Sequence, residues 1–362
     1  MINENAFVLE VCKFLNPDKE KLNELMKNTL DYPYILGQLL YNRVGGIAYY
    51  TLYKCEFLYD LNREFSNSLK SIYQMNYIYA KNFKASLSYI SEILKAVEFP
   101  YALLKGSHLV ELYPMGLRTS NDFDILINQD DISKLSSLLI NEGFKQGYIK
   151  NEKFVEAARQ EILFSRMNRG ETVPFIKKQT KGQKFIEIDV NFSLDYKAMQ
   201  KTEAVSEILN RVEKNIHTKR NELFTLGQTD FLIHLCAHLY KEATTYKMFE
   251  MGRDQSLYKF CDLYFFINKF MNESFAGNLI NGITELGLRK ECYYALYYTD
   301  ILFEINNKEL NLILKNIEPE NKDYLKQIYD PVENKTYGYD MDFKDWIFSS
   351  DRKNKYMEVN DE

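Results

Sequence analysis

The chain has 362 residues, 46% hydrophobic and 27% charged, with a net charge of −5. That is enough for two or three packed units with a sizeable core, and the acidic balance argues against a nonspecific nucleic-acid coat held by phosphate contacts. Five widely spaced cysteines without a Cys-x-x-Cys pair argue against a disulfide framework or zinc ribbon and suit a reducing cytoplasm. The start Met1-Ile2-Asn3-Glu4-Asn5 lacks a signal-peptide pattern, and no apolar run approaches the ~20 residues that span a bilayer, so the expected location is cytoplasmic with no membrane partner.

Residues 1–95 read as a helical N-terminal region. Leu36, Leu39, Leu40, Val44, Ile47 and Ala48 follow the 3–4 spacing of an amphipathic helix, as do Phe83, Leu87, Ile90, Leu94 and Val97. Gly45-Gly46 marks a break or a close helix contact. Residues 96–200 change character. The run Phe99–Leu104 predicts a strand ending at Lys105-Gly106-Ser107, then a helix from Ser107 to about Tyr113, stopped by Pro114. A strand follows over Asp122–Ile127, a helix over Ile132–Asn141 capped by Gly143, and strands over Phe144–Ile149 and Lys184–Phe192. This order describes a small α/β core with a mixed sheet. Residues 201–350 return to helices, including Asp230–Lys241 and Ser256–Phe270. Residues 351–362 read as a charged, disordered tail. The expected class is α+β, a small mixed-sheet core between two helical regions. The 28 Tyr and 24 Phe are expected to fill aromatic-rich cores.

The chemistry concentrates around residue 122. Successive strand side chains alternate faces, so Asp122 and Asp124 point the same way, about 6.6 Å apart, while Phe123, Ile125 and Ile127 are buried on the other face. Two like charges at that distance repel, and a hard divalent cation would turn repulsion into attraction. In Ile186-Glu187-Ile188-Asp189-Val190-Asn191 the same alternation puts Glu187, Asp189 and Asn191 on one face. If the two strands are neighbours, Asp189 joins the pair. Three carboxylates can then hold two Mg²⁺ ions roughly 4 Å apart, with Mn²⁺ as the alternative ion. A fourteen-residue spacer before Asp122, the Gly106-Ser107 turn opens a helix: glycine lets the backbone approach a phosphate, serine offers a hydroxyl, and the helix start offers free N–H groups. Lys105 and Arg118 are candidate phosphate contacts, with surface charge as the plainer reading of each.

Other features carry less. Residues 145–184 hold ten Lys/Arg against four Glu, a net +6, which suits a solvated face or a surface receiving a polyanion. His234 and His238 have zinc-ligand spacing, but Leu235 stands where a zinc peptidase needs Glu, so structural histidines are expected. Lys241 and Arg253 are more distant candidates for a triphosphate. Walker, dinucleotide-binding and nucleophile-elbow motifs are absent.

Gly-Ser, a spacer and Asp-x-Asp resemble the signature of the DNA polymerase β-type nucleotidyltransferase superfamily. The longer string Leu104-Lys105-Gly106, Tyr113-Pro114, Arg118 and Asp122-Phe123-Asp124-Ile125-Leu126 resembles a bacterial group of uncharacterised nucleotidyltransferases. The similarity extends through Asn42–Tyr49, Ile188-Asp189 and His234–His238, over roughly residues 35–270. It implies Mg²⁺-dependent transfer of a nucleoside monophosphate from an NTP to a hydroxyl or phosphate, releasing pyrophosphate. It maps catalytic and metal-binding roles to Asp122, Asp124 and Asp189, and phosphate binding to Gly106 and Ser107. Asn191 stands where the group often has His. The acceptor is open: a small molecule, a tRNA 3′ end or a protein. The alternative is a noncatalytic nucleotide- or metal-binding module of the same fold.

Overall fold

The computed structural model describes residues 1–193, 203–218 and 221–359. The chain divides into two compact units, one of Met1–Tyr73 with Leu232–Glu362 and the other of Gln74–Phe231. Five helices open the chain: α1 (Asn3–Val11), α2 (Lys19–Met26), α3 (Tyr32–Tyr41), α4 (Gly45–Lys54) and the long α5 (Arg63–Leu94). The helix expected across 36–48 is thus two helices. They part at Arg43, whose φ of 57° leaves the helical region. Just after the break the packing is close, since a Cβ on Gly45 would meet Ile72 Cγ2 at 3.0 Å.

The second unit is built on a mixed sheet. Its elements in chain order are β1 (Tyr101–Leu103), α6 (Lys105–Leu112), β2 (Phe123–Ile127), α7 (Ile132–Asn141), β3 (Lys145–Lys150), β4 (Lys153–Glu156), α8 (Arg159–Asn168), β5 (Phe175–Lys178), β6 (Phe185–Asn191), α9 (Glu203–Leu209), β7 (Glu213–Thr218) and β8 (Asn221–Thr225). Among the described residues the strand order is β4-β3-β5-β6-β2-β1-β8-β7. β2 runs parallel to β6 and antiparallel to β1. One face of the sheet carries Phe123, Ile125, Ile127, Ile186, Ile188 and Val190, all buried in one core with Phe83, Leu87 and Ile90 of α5. Phe83 stacks on Phe123, ring centroids 4.3 Å apart. Alternation therefore leaves the polar residues of β2 and β6 on the opposite face. α7 has the bounds the sequence predicts. Gly143 follows with a φ of 86°, and the Phe144 N–H closes onto the Leu139 carbonyl at 2.9 Å.

Several elements were not foreseen. β4, α8 and β5 lie in the basic stretch 145–184, and the β7–β8 hairpin lies where helices were expected. The remaining helices belong mainly to the first unit: α10 (Gln228–Thr244), α11 (Tyr246–Glu250), α12 (Leu257–Phe270), α13 (Glu273–Glu285), α14 (Arg289–Phe303), α15 (Lys308–Ile317) and α16 (Phe343–Phe348). A small antiparallel sheet joins β9 (Gln327–Asp330), β10 (Lys335–Gly338) and β11 (Met357–Glu358). The division into units falls inside α5 and α10, whereas the sequence reading cut at 95/96 and 200/201. The second of those cuts lies outside the described residues, as do the last three residues of the expected tail. Residues 351–359 of that tail carry β11 and a buried Arg352, which pairs with Asp254 at 3.1 Å. Among the described residues all five cysteines are buried, and no helix is long and apolar enough to cross a membrane.

Candidate active site

The polar face of β2 and β6 gathers the acidic residues. The parallel register places Phe123 opposite Ile188 and Asp124 opposite Asp189. The adjacency on which the third carboxylate depended is therefore present. Asp122 immediately precedes β2, and Glu187 and Asn191 flank Asp189 on the same side of β6.

Electrostatics confirm the convergence. Burial, then the charge of Asp124, pushes the Asp122 carboxyl up, with Lys105 pulling the other way. Burial, Asp122 and Asp124 push Glu187 up. Asp189 is held well above the carboxylate range by burial, then by Asp124, Asp122, Glu187 and Glu171. These groups shift one another only because they face one space at low dielectric.

The Lys105–Ser107 turn lies next to them. The Leu104 N–H donates to the Asp124 carbonyl at 2.9 Å, so β1 delivers the following turn beside Asp124. α6 begins at Lys105, two residues before the expected start. Lys105 has a φ of 40°, a left-handed conformation for a side-chain-bearing residue, and its ammonium lies 2.8 Å from Asp124 Oδ1. Gly106 is required by space: a Cβ there would lie 2.0 Å from Ser120 Oγ and 2.4 Å from Ser120 Cβ. Ser107 is 1% exposed, and its hydroxyl has no hydrogen-bond partner among the described residues. Arg118 is half-buried and donates to the Thr119 carbonyl, on the segment that delivers Asp122.

Two further residues complete the arrangement. The Ser120 hydroxyl donates to Asp122 Oδ1 at 3.3 Å, and Asn191 Nδ2 donates to Asp124 Oδ1 at 3.4 Å. Neither role was assigned from the sequence. A serine two residues before an acidic strand and an asparagine two residues after the third acid were the available signals. The basic stretch borders the same region: Glu171, between α8 and β5, bridges to Asn191, and the Thr172 N–H donates to the Val190 carbonyl. His234 and His238 belong to the first unit, where their rings stack 6.3 Å apart and His238 Nε2 lies 3.0 Å from Glu242.

The donor set is all oxygen and anionic, the preference of a hard divalent ion. The mutual repulsion of its carboxylates is what such an ion would relieve, so the residues present fit Mg²⁺ or Mn²⁺. Among the described residues no group of three or more His, Cys, Asp or Glu is already arranged to hold a metal ion. The cation in place is the ammonium of Lys105.

A model of the family of uncharacterised nucleotidyltransferases matches residues 29–304. No curated protein matches the chain. Among solved structures, the chain is similar to an antigenic nucleotidyltransferase-like protein from Paracoccidioides brasiliensis at 12% identity, with a TM-score of 0.34, over 59% of this chain and 92% of that one.

Proposed function

The chain belongs to the family of uncharacterised nucleotidyltransferases, and on that footing we propose that it transfers a nucleoside monophosphate from an NTP to an acceptor hydroxyl or phosphate. The observation that carries the reading is the register of Asp124 on Asp189, with Asp122 on the same face. Asp122, Asp124 and Asp189 are the residues that would hold Mg²⁺ or Mn²⁺. Such an ion, when bound there, would neutralise charge along the triphosphate and lower the pKa of the attacking hydroxyl.

The chain's own groups do the rest. The Gly106 turn and the start of α6 would face the triphosphate, where a helix N-terminus favours negative charge. Lys105 and Arg118 add positive charge. An acceptor oxygen forms a bond to the α-phosphorus, the bond from that phosphorus to its bridging oxygen breaks, and pyrophosphate leaves. The hydroxyl proton passes to Asp189, which lies opposite Asp124 across the β2–β6 register. The acceptor is a small molecule, an RNA end or a protein side chain. The basic stretch bordering Asn191 is the surface on which it would lie.

Thermal unfolding with ATP, GTP, CTP and UTP, each with and without Mg²⁺, tests the reading. Ligand at one hundred times Kd adds about 2.7 kcal/mol to the folded state. A Mg²⁺-dependent rise in unfolding temperature with one nucleotide, lost in Asp122→Asn/Asp124→Asn, is expected. No rise with any nucleotide would count against it.

A further inference from the structure

We propose that Lys105 is an internal counter-ion that couples nucleotide binding to metal binding: its ammonium neutralises Asp124 in the nucleotide-free protein and passes to the triphosphate when an NTP docks. The inference rests on the functional reading above, and it concerns the regulation of that same site.

Three observations carry it. The ammonium lies 2.8 Å from Asp124 Oδ1, and the Lys105 side chain retains 20% exposure. It is therefore seated on the carboxylate yet open on one side. Its backbone is the hinge between β1 and α6, placed by the Leu104 bond to the Asp124 carbonyl. One residue on, Gly106 opens the turn where phosphate would approach, so the residue that holds the carboxylate also adjoins the proposed anion site. Finally, Lys105 takes a left-handed φ of 40°, a conformation that persists in a non-glycine residue only where its surroundings impose it.

The consequence follows from charge alone. A divalent ion on Asp124 Oδ1 and an ammonium at hydrogen-bond distance from that oxygen repel and compete for it. With no nucleotide, Lys105 weakens metal binding. A triphosphate offers the ammonium another anionic partner and releases Asp124, so nucleotide strengthens metal binding and, by reciprocity, metal strengthens nucleotide binding. The acidic cluster would thus be screened from free divalent ions until substrate arrives.

The test is Mn²⁺ affinity measured by electron paramagnetic resonance, with and without the α,β-methylene analogues of the four NTPs. Wild type is expected to bind Mn²⁺ roughly tenfold more tightly with the effective analogue, within the usual range of such couplings. Lys105→Met should bind Mn²⁺ roughly tenfold more tightly than wild type without nucleotide, and lose the enhancement. Lys105→Gly deletes the ammonium and suits the left-handed backbone, so it should reproduce that result if Lys105→Met folds poorly. Lys105→Arg keeps the charge and should keep Mn²⁺ weak without nucleotide. A merely structural lysine would give weaker or unchanged Mn²⁺ binding in Lys105→Met and Lys105→Gly, and that result would overturn the proposal. Mn²⁺ binding that Asp124→Asn abolishes but the Lys105 variants leave untouched would overturn this proposal alone. No Mn²⁺ binding by wild type even with nucleotide would overturn the metal-site reading and this inference with it.

Discussion

Gly106→Ala is the substitution whose effect the structure fixes most tightly. A Cβ at this position would stand 2.0 Å from Ser120 Oγ and 2.4 Å from Ser120 Cβ, while the Ser120 Cα is 3.8 Å away. Relaxed carbon–carbon contacts need about 3.5–4.0 Å. Rotating the hydroxyl relieves the first clash but not the second, so backbone must move. Overpacking of this kind costs about 1–3 kcal/mol, partly offset by alanine's helix preference, worth up to about 1 kcal/mol in a helix interior and less in this first turn. Gly106→Ala should therefore destabilise the protein by about 1–2 kcal/mol. In a Ser120→Gly background the clashing atoms are gone and the nearest atom is an ordinary contact. The same change should then be neutral or stabilising by up to about 1 kcal/mol. The Ser120 bond to Asp122 is lost in both arms of the cycle and cancels. Urea unfolding of the four proteins, followed by circular dichroism, should show Gly106→Ala destabilising with Ser120 present and neutral or stabilising without it, a coupling of about 1–3 kcal/mol. Equal effects in both backgrounds would refute the packing argument.

Other outcomes follow from the same geometry. Phe123→Ala removes a fully buried ring stacked 4.3 Å from Phe83 and should cost about 3–5 kcal/mol in urea unfolding. Asp189→Asn removes a carboxylate crowded by Asp124, Asp122 and Glu187, so in EDTA its unfolding temperature should rise above wild type, and a fall would contradict the crowding. In the first unit, burial alone would raise the Glu242 carboxyl, but the charges of His238 and of Lys259, 3.0 and 2.6 Å away, hold it well below its ordinary 4.5. A depressed carboxyl contributes stability that is present above that value and lost as pH falls through the folded-state pKa. Glu242→Gln should thus cost roughly 3 kcal/mol at neutral pH, and the gap to wild type should narrow as pH drops below 4.5. A gap constant down to acid unfolding would show that the ionised pair contributes nothing.

The sequence was most legible where period and function coincide. Alternation in Asp122–Ile127 and Ile186–Asn191 announced two strands and sorted their faces, because a strand buried on one side leaves a period-2 trace. The trace also put Asp189 on a usable face; only the pairing of β2 with β6 showed it beside Asp124. α7 was legible for a similar reason, with Ile132, Leu135 and Leu139 at helical spacing and Gly143 at its end. The ion pair of Lys105 with Asp124 was not legible. Nothing in nineteen residues of separation says whether a lysine turns toward a phosphate or back onto a carboxylate. The β7–β8 hairpin escaped because few apolar residues mark it: Leu223 is buried and Phe224 packs edge-on against Tyr101, while their neighbours are polar. The charge of residues 351–359 likewise masks the burial of Arg352, whose partner Asp254 lies 98 residues away.

The central claim is transfer of the α-phosphoryl group at the Asp122, Asp124 and Asp189 cluster. Its most direct test incubates the protein and Mg²⁺ with NTPs labelled at the α- or the γ-phosphate, in the presence of fractionated small molecules, RNA and proteins. The account predicts α-label in one fraction with stoichiometric pyrophosphate release, no transfer of γ-label, and loss of both signals in Asp124→Asn. Transfer of γ-label, or undiminished α-labelling by Asp124→Asn, would contradict it.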